Sequence, residues 1–336
     1  MMKKRTLRNL EVNPIGMGCM GFSHGYGDIP TEEYSIQAIQ MAHDFGCDFY
    51  DTAEAYSPRL AAIGHNELII GKAIKSFRKD IVLATKLHLH TEEVSQSDLY
   101  TVMKNHLTAS IQRLQTDYVD LYYLHRLNPD IPVEEVADVM GRLEKEGLIR
   151  GWGLSQVGIE TIQKAQKMHP LSAIQNIYSM VERSCEDEVI PYCMANDIAL
   201  VPFSPIASGL LSGKVTTKTD FSHDDDVRKF VPQLKKENLE ANQPLIELIS
   251  EYAKRKEATD AQIALAWMLH KYPNVIPIPG SKNKERILEN LGAWNVELTD
   301  DEFLALDTAL NALNIKGFRG HVEQQGGTMA DWGKRR

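Results

Sequence analysis

The amino-acid sequence predicts an α/β fold and, within that class, a (β/α)8 TIM barrel forming a single domain. Strand-like and helix-like segments alternate along nearly all of the 336 residues, with about eight strand candidates. The composition, 43% hydrophobic and 25% charged, is that of a globular chain able to bury a large core, which excludes a mostly disordered protein. A doubly wound open sheet produces much the same alternation, so the pattern by itself leaves both architectures open.

The strand candidates are short apolar runs rich in β-branched and aromatic residues, as expected of strands buried in a parallel sheet. They are, in chain order, residues 16–20, 47–50, 81–84, 118–124, 149–154, 171–175, 198–203 and 275–278. Segments with helical periodicity lie between them, at residues 32–45, 66–76, 99–114, 133–145, 159–166, 185–195, 244–256 and 261–270. Predicted strands and helices therefore alternate along the chain.

Two segments fall outside this alternation. Residues 214–243 are polar, contain Pro, Asp and Lys, and show no clear periodicity; loops this long are usually lids or linkers, so we predict a mobile lid here. The barrel is predicted over residues 1–314. The tail, residues 315–336, is polar and contains glycine, but Phe318, Met329 and Trp332 are apolar anchors that favour its lining or covering the active site.

Charge and cysteine content exclude several classes of partner. The chain has 37 Lys and Arg against 46 Asp and Glu, a net charge of −9, which disfavours nucleic acid and anionic membranes. No apolar run approaches the length of a membrane helix, and the basic start is not followed by the apolar core of a secretory signal. The four cysteines lack CxxC spacing. We expect a cytoplasmic protein with a small-molecule partner; its oligomeric state stays open.

Four chemically active side chains follow the predicted strands, at the ends where barrel active sites lie. Asp51 and Tyr56 belong to FYDTAEAY, Lys86 ends VLATK, and His125 lies in LYYLHR. Taken singly, each has an ordinary explanation, because such residues commonly cap helices, pack, or face solvent. Taken together, they bring an acid, a phenol, an amine and an imidazole to one face of the barrel.

The chemistry of this set points to proton transfer. Lys86 follows a fully apolar run, so we expect a cation in a partly dry site with Asp51 as its counter-ion. A phenol has an ordinary pKa of about 10, and a nearby cation such as Lys86 or a protonated His125 lowers it. A phenol tuned in this way donates a proton to a carbonyl oxygen as a hydride arrives at the carbon. The set therefore predicts reductase chemistry.

In order and context, these segments resemble the aldo-keto reductase superfamily, whose NADPH-dependent members are (β/α)8 barrels with an Asp, Tyr, Lys and His tetrad. The resemblance extends over residues 6–310, and several separate motifs that agree are far more specific than one glycine pattern. It implies the barrel rather than the open sheet. It also implies that Tyr56 is the general acid and that Asp51, Lys86 and His125 complete the catalytic set.

The resemblance further implies how the nicotinamide end of NADPH is held. The implied contacts are Ser155 in GLSQ, Gln175 in AIQNIYS, and Phe203, Ser204, Ile206 and Gly209 in PFSPIASGLLSGK. Ser155 and Gln175 would hold the carboxamide, and Phe203 would stack on the ring. The backbone from Ser204 to Gly209 would follow the pyrophosphate.

The segment IPGSKNKERILEN is similar to the family's site for the adenosine 2′-phosphate. It implies Ser281, Lys282 and Arg286 at that phosphate, with Glu289 and Asn290 at the adenine. The segment also has a physical interpretation of its own, because Gly280 and Ser281 are expected to open a helix whose N-terminal amides and dipole favour phosphate. The sequence therefore predicts NADPH as the cofactor, in preference to NADH.

The leading functional prediction is an NADPH-dependent oxidoreductase that reduces aldehydes or ketones to alcohols, with Tyr56 as general acid. The alternative is a redox-sensing regulatory subunit that binds NADP(H) and turns over slowly, since the superfamily includes channel-associated barrels. No metal is predicted, because His88 and His90 have no third ligand in view. The acidic run at residues 224–226 is expected to be solvated. The substrate is left open, because specificity in such barrels rests on loops.

Overall fold

A ring of short parallel strands forms the centre of the computed structural model, which describes residues 3–58 and 61–319. Seven strands, β3 to β9, pair in parallel in chain order, and β1 pairs with β2 in an antiparallel hairpin. The strands are β1 Arg5–Leu7, β2 Leu10–Val12, β3 Met17–Gly18, β4 Phe49–Asp51, β5 Val82–Leu87, β6 Leu121–Leu124, β7 Trp152–Ser155, β8 Ala173–Gln175 and β9 Ala199–Leu200.

The segment 274–280 closes the ring between the first and last of these parallel strands. On one side the amide of Ile276 donates to the carbonyl of Leu200 (2.8 Å), and on the other the amide of Gly16 donates to the carbonyl of Pro277 (2.9 Å). Isolated parallel bridges join residue 200 to 275 and residue 18 to 280. The predicted (β/α)8 barrel is therefore confirmed, because an open sheet would leave its two edge strands unpaired.

The alternation of side chains along each strand decides which residues point into the barrel. In β5, Val82 and Ala84 belong to the inner apolar cluster and Leu83 to the outer one, so Lys86 faces inward. The same parity carries Asp51, which follows Phe49 by two, to the inner face at the top of β4. Asp51 is level with Ala84 in the register. Lys86 therefore lies one layer above Asp51, at the carboxyl end of the barrel.

The β1–β2 hairpin plugs the opposite, amino-terminal end. Leu7, Leu10 and Val12 are buried and join the same inner cluster as the barrel strands. The guanidinium of Arg5 ties the hairpin to the barrel by donating to the carbonyl of Tyr272 (2.6 Å), with further contacts to the carbonyls of Val275 and Leu269. The hairpin is absent from the predicted elements, because three-residue strands carry too few residues to show alternation.

The helices cover the outside of the barrel. They are α1 Glu32–Asp44, α2 His65–Ile74, α3 Thr91–Gln96, α4 Leu99–Leu114, α5 Val133–Lys145, α6 Ile159–Met168, α7 Val189–Ala195, α8 Lys236–Ala241, α9 Gln243–Arg255, α10 Asp260–Lys271, α11 Lys284–Gly292 and α12 Asp300–Ala312. Caps explain several starts: Asp98 caps α4, and Thr259 with Gln262 forms a capping box on α10. Within the described residues, no helix combines the length and the apolar character that crossing a membrane requires.

The segment 214–243 differs from the irregular loop that its composition predicts. Its second half forms two 3₁₀ turns, Val227–Phe230 and Pro232–Leu234, followed by α8. Leu234 and Leu239 are buried, so this half is packed against the barrel. The predicted solvation of the acidic run is wrong for Asp226, which is 3% exposed and accepts hydrogen bonds from the Arg228 guanidinium.

Candidate active site

A cavity of about 510 Å³ opens at the carboxyl ends of the barrel strands. Its wall includes three of the four predicted catalytic residues and four of the predicted cofactor contacts: Asp51, Tyr56, His125, Ser155, Gln175, Phe203 and Ser204. The size is that of a small-molecule site. Asp51, Ser155 and Gln175 meet here because they end three barrel strands on the inner face, and Tyr56 and Ser204 reach the cavity from the loops that follow.

Lys86 is the hub of the catalytic set. Its ammonium forms a short ion pair with the Asp51 carboxylate and donates to the Thr52 carbonyl (2.7 Å) and to the Tyr56 hydroxyl (3.3 Å). Lys86 is fully buried and Asp51 is 2% exposed. The three oxygen partners stabilise the buried ammonium. Because the Tyr56 oxygen is one of them, the positive charge acts directly on the phenol.

The pKa values of this set follow from burial and from the ion pair. Burial opposes the charged form of Lys86, but Asp51 and Tyr56 beside it raise its pKa above the usual value, so the amine stays protonated. Burial raises the pKa of the Tyr56 phenol above its usual value, and Lys86 offsets part of that shift. Lys86 acts on the phenol pKa in the predicted direction, but desolvation outweighs it, so the net shift is upward. Tyr56 is therefore a neutral proton donor.

His125 lies beside Tyr56 as an uncharged ring. Its ring centroid is 5.6 Å from that of Tyr56, in an edge-on arrangement, and 4.4 Å from that of His88. Burial, with Arg126 and Lys86 nearby, holds the pKa of His125 well below its usual value of 6.5. A protonated His125 is therefore not the cation that tunes the phenol, and Lys86 is left in that role.

The predicted carboxamide contacts are engaged within the protein. The Gln175 amide nitrogen donates to the second oxygen of Asp51 (2.7 Å), and the Ser155 hydroxyl accepts from the Arg126 guanidinium (3.1 Å). Both side chains still line the cavity. Arg126 was not among the predicted site residues. Its place directly after His125 in LYYLHR, at the end of a predicted strand, could have indicated it.

The loop after β9 has an unusual backbone. Ser204, Ala207 and Ser208 have φ values of 52°, 48° and 55°, and Gly209 has a φ of 100°. Positive φ in residues other than glycine costs free energy and collects at functional sites. Phe203 and Ser204 line the cavity at the start of this loop, whereas Ile206 and Gly209 lie in the turn beyond it. The start of this loop therefore belongs to the cavity wall, and Ile206 and Gly209 do not.

The segment predicted for the 2′-phosphate lies along the same rim. Helix α11 starts at Lys284 with Asn283 as its N-cap, so the expectation that Gly280 and Ser281 open the helix is wrong by about one turn. Asn283 caps because its side chain accepts from the amide of Arg286 (2.9 Å). The side chain of Arg286 is exposed.

Two side-chain contacts join this part of the rim to the segment 214–243 and to the first barrel loop, which follows β3. The Lys282 ammonium donates to the carbonyl of Tyr26 (2.9 Å) and contacts that of Asp28, so it is occupied in the structure. Lys214 forms an ion pair with Glu289 (2.7 Å). Asn290 is buried one residue further on. These contacts tie the segment that contains Lys282 and Glu289 to the first barrel loop and to Lys214.

Comparison with known proteins assigns the family. The model of the Aldo/keto reductase family matches residues 14–311. The chain belongs to the aldo/keto reductase family. Among its relatives is a probable aldo-keto reductase 1 of Glycine max, 33% identical over 318 residues, which cover 93% of this chain and 89% of the relative.

Solved aldo-keto reductases share the architecture. A thermostable aldo-keto reductase solved in complex with the inhibitor epalrestat is 29% identical, with a TM-score of 0.71 over 92% of this chain and 100% of that one. An aldo-keto reductase of Klebsiella pneumoniae solved in complex with NADPH is 26% identical, with a TM-score of 0.71 over 95% of this chain and 99% of that one.

Several residues of this aldo/keto reductase's cavity were missed by the sequence analysis. His24 and Tyr26 reach it from the loop after β3, and Arg319 reaches it from the carboxyl-terminal tail. A loop residue far from a strand end carries no local signal, because its position depends on how the loop folds back. The predicted anchors Met329 and Trp332 lie outside the described residues.

Buried polar atoms that have no hydrogen-bond partner within the described residues mark this cavity as a site for a polar ligand. The atoms concerned include Nε2 of His24, Nδ1 of His125 and Nη1 of Arg319, all from residues that line the wall. Leaving a buried donor or acceptor unsatisfied costs about 1 to 3 kcal/mol. A ligand with several hydrogen-bonding groups would satisfy them.

Proposed function

We propose that this aldo/keto reductase reduces aldehydes or ketones to alcohols with NADPH, and that Tyr56 donates the proton. The observation that carries the proposal is the Tyr56 hydroxyl, held 3.3 Å from the Lys86 ammonium in the wall of the cavity. A neutral phenol backed by a buried cation both donates a proton and stabilises the phenolate that remains. The four cysteines are free and buried, which supports a place in the reducing cytoplasm.

The donor set of the cavity fits a nicotinamide cofactor. NADPH supplies a hydride when bound, and a related reductase of Klebsiella pneumoniae was solved with it. Ser155 and Gln175 would hold the carboxamide, after exchanging their present contacts to Arg126 and Asp51 for it. Phe203, half-buried in the wall, offers a ring face for stacking.

The chain's own residues then move one proton. Tyr56 releases the proton on its hydroxyl oxygen to the substrate oxygen as charge develops there. Lys86 stabilises the phenolate, and Asp51 keeps Lys86 charged and oriented. His125, uncharged, adds a hydrogen-bonding group beside the reacting oxygen without competing for the proton. In the oxidation direction, Tyr56 accepts the proton back by microscopic reversibility.

The adenosine end of the cofactor would lie along the rim of the barrel. We propose that Ser281, Lys282 and Arg286 meet the 2′-phosphate, with Glu289 and Asn290 at the adenine. Ser204, Ile206 and Gly209 would follow the pyrophosphate. The segment 214–243 would act as a lid over the adenosine end, a role supported by the ion pair between Lys214 and Glu289. The exposed Arg286 guanidinium is a suitable phosphate donor.

A carbonyl panel tests the proposal. The enzyme is mixed with NADPH and a set of aldehydes, dicarbonyls and ketones, and the absorbance of the reduced cofactor is followed. We expect multiple turnovers on at least one aldehyde. Tight cofactor binding with a single very slow turnover would instead favour a redox-sensing subunit, and no binding of either nicotinamide cofactor would refute both.

A further inference from the structure

The last described residues of the chain are held against the barrel by main-chain contacts. The Lys316 amide donates to the Asn242 side chain (2.8 Å), which donates back to the Lys316 carbonyl (2.9 Å). The Gln233 amide donates to the Phe318 carbonyl (3.2 Å), and the Arg319 amide donates to the Glu182 carboxylate (2.9 Å). The sequence spacing between these partners shows that the strap, residues 316–319, is built by tertiary contacts.

A glycine in the strap sets how closely it approaches the inserted segment. Gly317 has a φ of +76°, and a Cβ placed there would lie 2.9 Å from the backbone of Gln233. A larger residue would need both a left-handed conformation and a displaced neighbour. Glycine at this position therefore permits the close approach of the strap, which brings the side chain of Arg319 to the cavity.

Arg319 is buried with part of its guanidinium unsatisfied. The residue is 6% exposed and lines the cavity, its Nε donates to the Ser204 hydroxyl (3.3 Å), and its Nη1 has no hydrogen-bond partner among the described residues. Removing a charged group from water without pairing its donors is costly. A strap that carries such a group into a cavity is explained by a ligand that completes its hydrogen bonds.

The charges around the cavity indicate what kind of ligand this is. Arg319 and Arg126 both line the wall, whereas the carboxylate of Asp51 is already neutralised by Lys86. Glu182 accepts from the main chain of Arg319, on the strap side. The imidazole rings in the wall add donors without charge, since burial lowers the pKa of His24 and His125. The guanidinium groups in the wall therefore favour a ligand that carries negative charge.

We propose that Arg319 is an anion ligand of this site, binding phosphate or carboxylate oxygens through its guanidinium fork together with the Ser204 hydroxyl. Two molecules present at the site of a reductase carry such a group: the pyrophosphate of NADPH, and a carbonyl substrate that bears a carboxylate. The second source, and the identity of the first as NADPH, rest on the proposed function. A planar guanidinium suits either, because it makes paired hydrogen bonds to adjacent oxygens.

The test compares Arg319→Met and Arg319→Lys with a matched control, Lys316→Met. Lys316 is exposed and contacts the barrel through its main chain, so this control removes a charge from the same strap without loosening it. Circular dichroism and the denaturation midpoint establish that each variant folds. Dissociation constants for NADPH come from quenching of protein fluorescence, and KM is measured for benzaldehyde and for 2-carboxybenzaldehyde at saturating NADPH.

The outcomes distinguish the two molecules that could supply the anion. If the pyrophosphate is the ligand, Arg319→Met raises the NADPH dissociation constant by about tenfold or more, Arg319→Lys recovers part of it, and Lys316→Met changes nothing. If a substrate carboxylate is the ligand, NADPH affinity is kept and only the KM for 2-carboxybenzaldehyde rises by about tenfold. Unchanged values in both assays would overturn the proposal and leave Arg319 a structural tie to Ser204.

A binding experiment without cofactor or turnover separates this proposal from the proposed function. Inorganic pyrophosphate is added to the wild-type protein and to Arg319→Met, and the thermal denaturation midpoint is followed. A ligand that binds the folded state raises that midpoint. We expect pyrophosphate to raise the midpoint of the wild type and of Lys316→Met, but not of Arg319→Met. Equal shifts in all three would contradict an anion site at Arg319 even if carbonyl reduction is observed.

Discussion

At the scale of single residues, the Tyr56 hydroxyl is the proposed proton donor for carbonyl reduction. Tyr56→Phe removes that hydroxyl and keeps the ring. A general acid contributes about 10²- to 10⁴-fold, so we expect kcat for aldehyde reduction to fall by about that factor. The NADPH dissociation constant should stay nearly unchanged, because the phenol faces the substrate oxygen. Stopped-flow absorbance and fluorescence titration measure the two quantities.

Tyr122→Phe is the matched control for this variant. Tyr122 belongs to the outer apolar cluster on β6, and its hydroxyl is buried without a partner among the described residues. Deleting that hydroxyl leaves the cavity untouched and removes an unsatisfied group, so kcat should keep its wild-type value. A similar loss of rate in both variants, or a loss of NADPH affinity in Tyr56→Phe, would count against the assignment.

The pKa shifts of Tyr56 and His125 predict a flat pH profile. The phenol stays protonated up to and beyond its usual pKa because burial raises that pKa, and His125 stays neutral down to well below 6.5 because burial and Arg126 lower its pKa. At saturating NADPH, kcat for reduction should therefore be constant from about pH 5.5 to about pH 9. A step centred near 6.5 would show that His125 titrates as an exposed imidazole.

Lys86 couples catalysis to stability, because its removal leaves the buried Asp51 carboxylate with the Gln175 amide as its remaining side-chain donor among the described residues. Breaking a buried pair costs about 3 to 5 kcal/mol, so Lys86→Met should lower both kcat and the free energy of unfolding. In the double variant Lys86→Met with Asp51→Leu, much of that stability should return while kcat stays low. Urea denaturation and the NADPH assay separate the two effects.

At the scale of elements, the first turn of α11 is where NADPH is expected to be distinguished from NADH. Arg286→Ala removes an exposed guanidinium, and we expect it to raise the NADPH dissociation constant about tenfold while leaving that for NADH unchanged. At saturating cofactor, kcat should stay the same. Fluorescence titration with both cofactors makes the measurement.

Lys284→Ala is the control for Arg286→Ala. It removes a positive charge from the same helical turn, so it shows whether any lost charge there weakens NADPH binding. The Lys284 ammonium donates to Gln37 (2.9 Å) and lies over the ring of Tyr34, so it is committed to the surface between α11 and α1. We expect little change in the ratio of the two cofactor affinities. Equal NADPH and NADH affinities in the wild-type protein would remove the 2′-phosphate site from this helix.

At the scale of the whole molecule, the two ends of the barrel divide stability from activity. Leu7 lies in the hairpin that plugs the amino-terminal end, fully buried in the inner cluster. Leu7→Ala should reduce the free energy of unfolding by about 2 to 5 kcal/mol through lost burial and a cavity. Because the cavity opens at the opposite end, kcat and NADPH affinity should not change. A large change in kcat for folded protein would show that the ends are coupled.

The sequence predicted most of this fold because its main signals are local. Strand alternation of period two carries the side chains of Asp51, Lys86 and Ser155 to one inner face, and their places at strand ends carry them to one rim. Element boundaries moved by a few residues, as for β5, which extends to Leu87 and takes in the predicted strand-end lysine. Motif order then predicted the family.

Three features depended on tertiary structure alone, since each arises between segments remote in the chain. The position of the eighth barrel strand is occupied by residues 274–280, which form isolated bridges rather than a regular strand. The neutral state of His125 follows from the cations and the burial that surround it, which no single segment specifies. The placement of Arg319 requires contacts with Asn242, Gln233 and Glu182. The sequence by itself determined the alternation of strands and helices and the residues at the strand ends, because backbone periodicity is local, and its motifs indicated the barrel through the family resemblance. Packing decided the charge states and the strap, because both depend on distances across the fold.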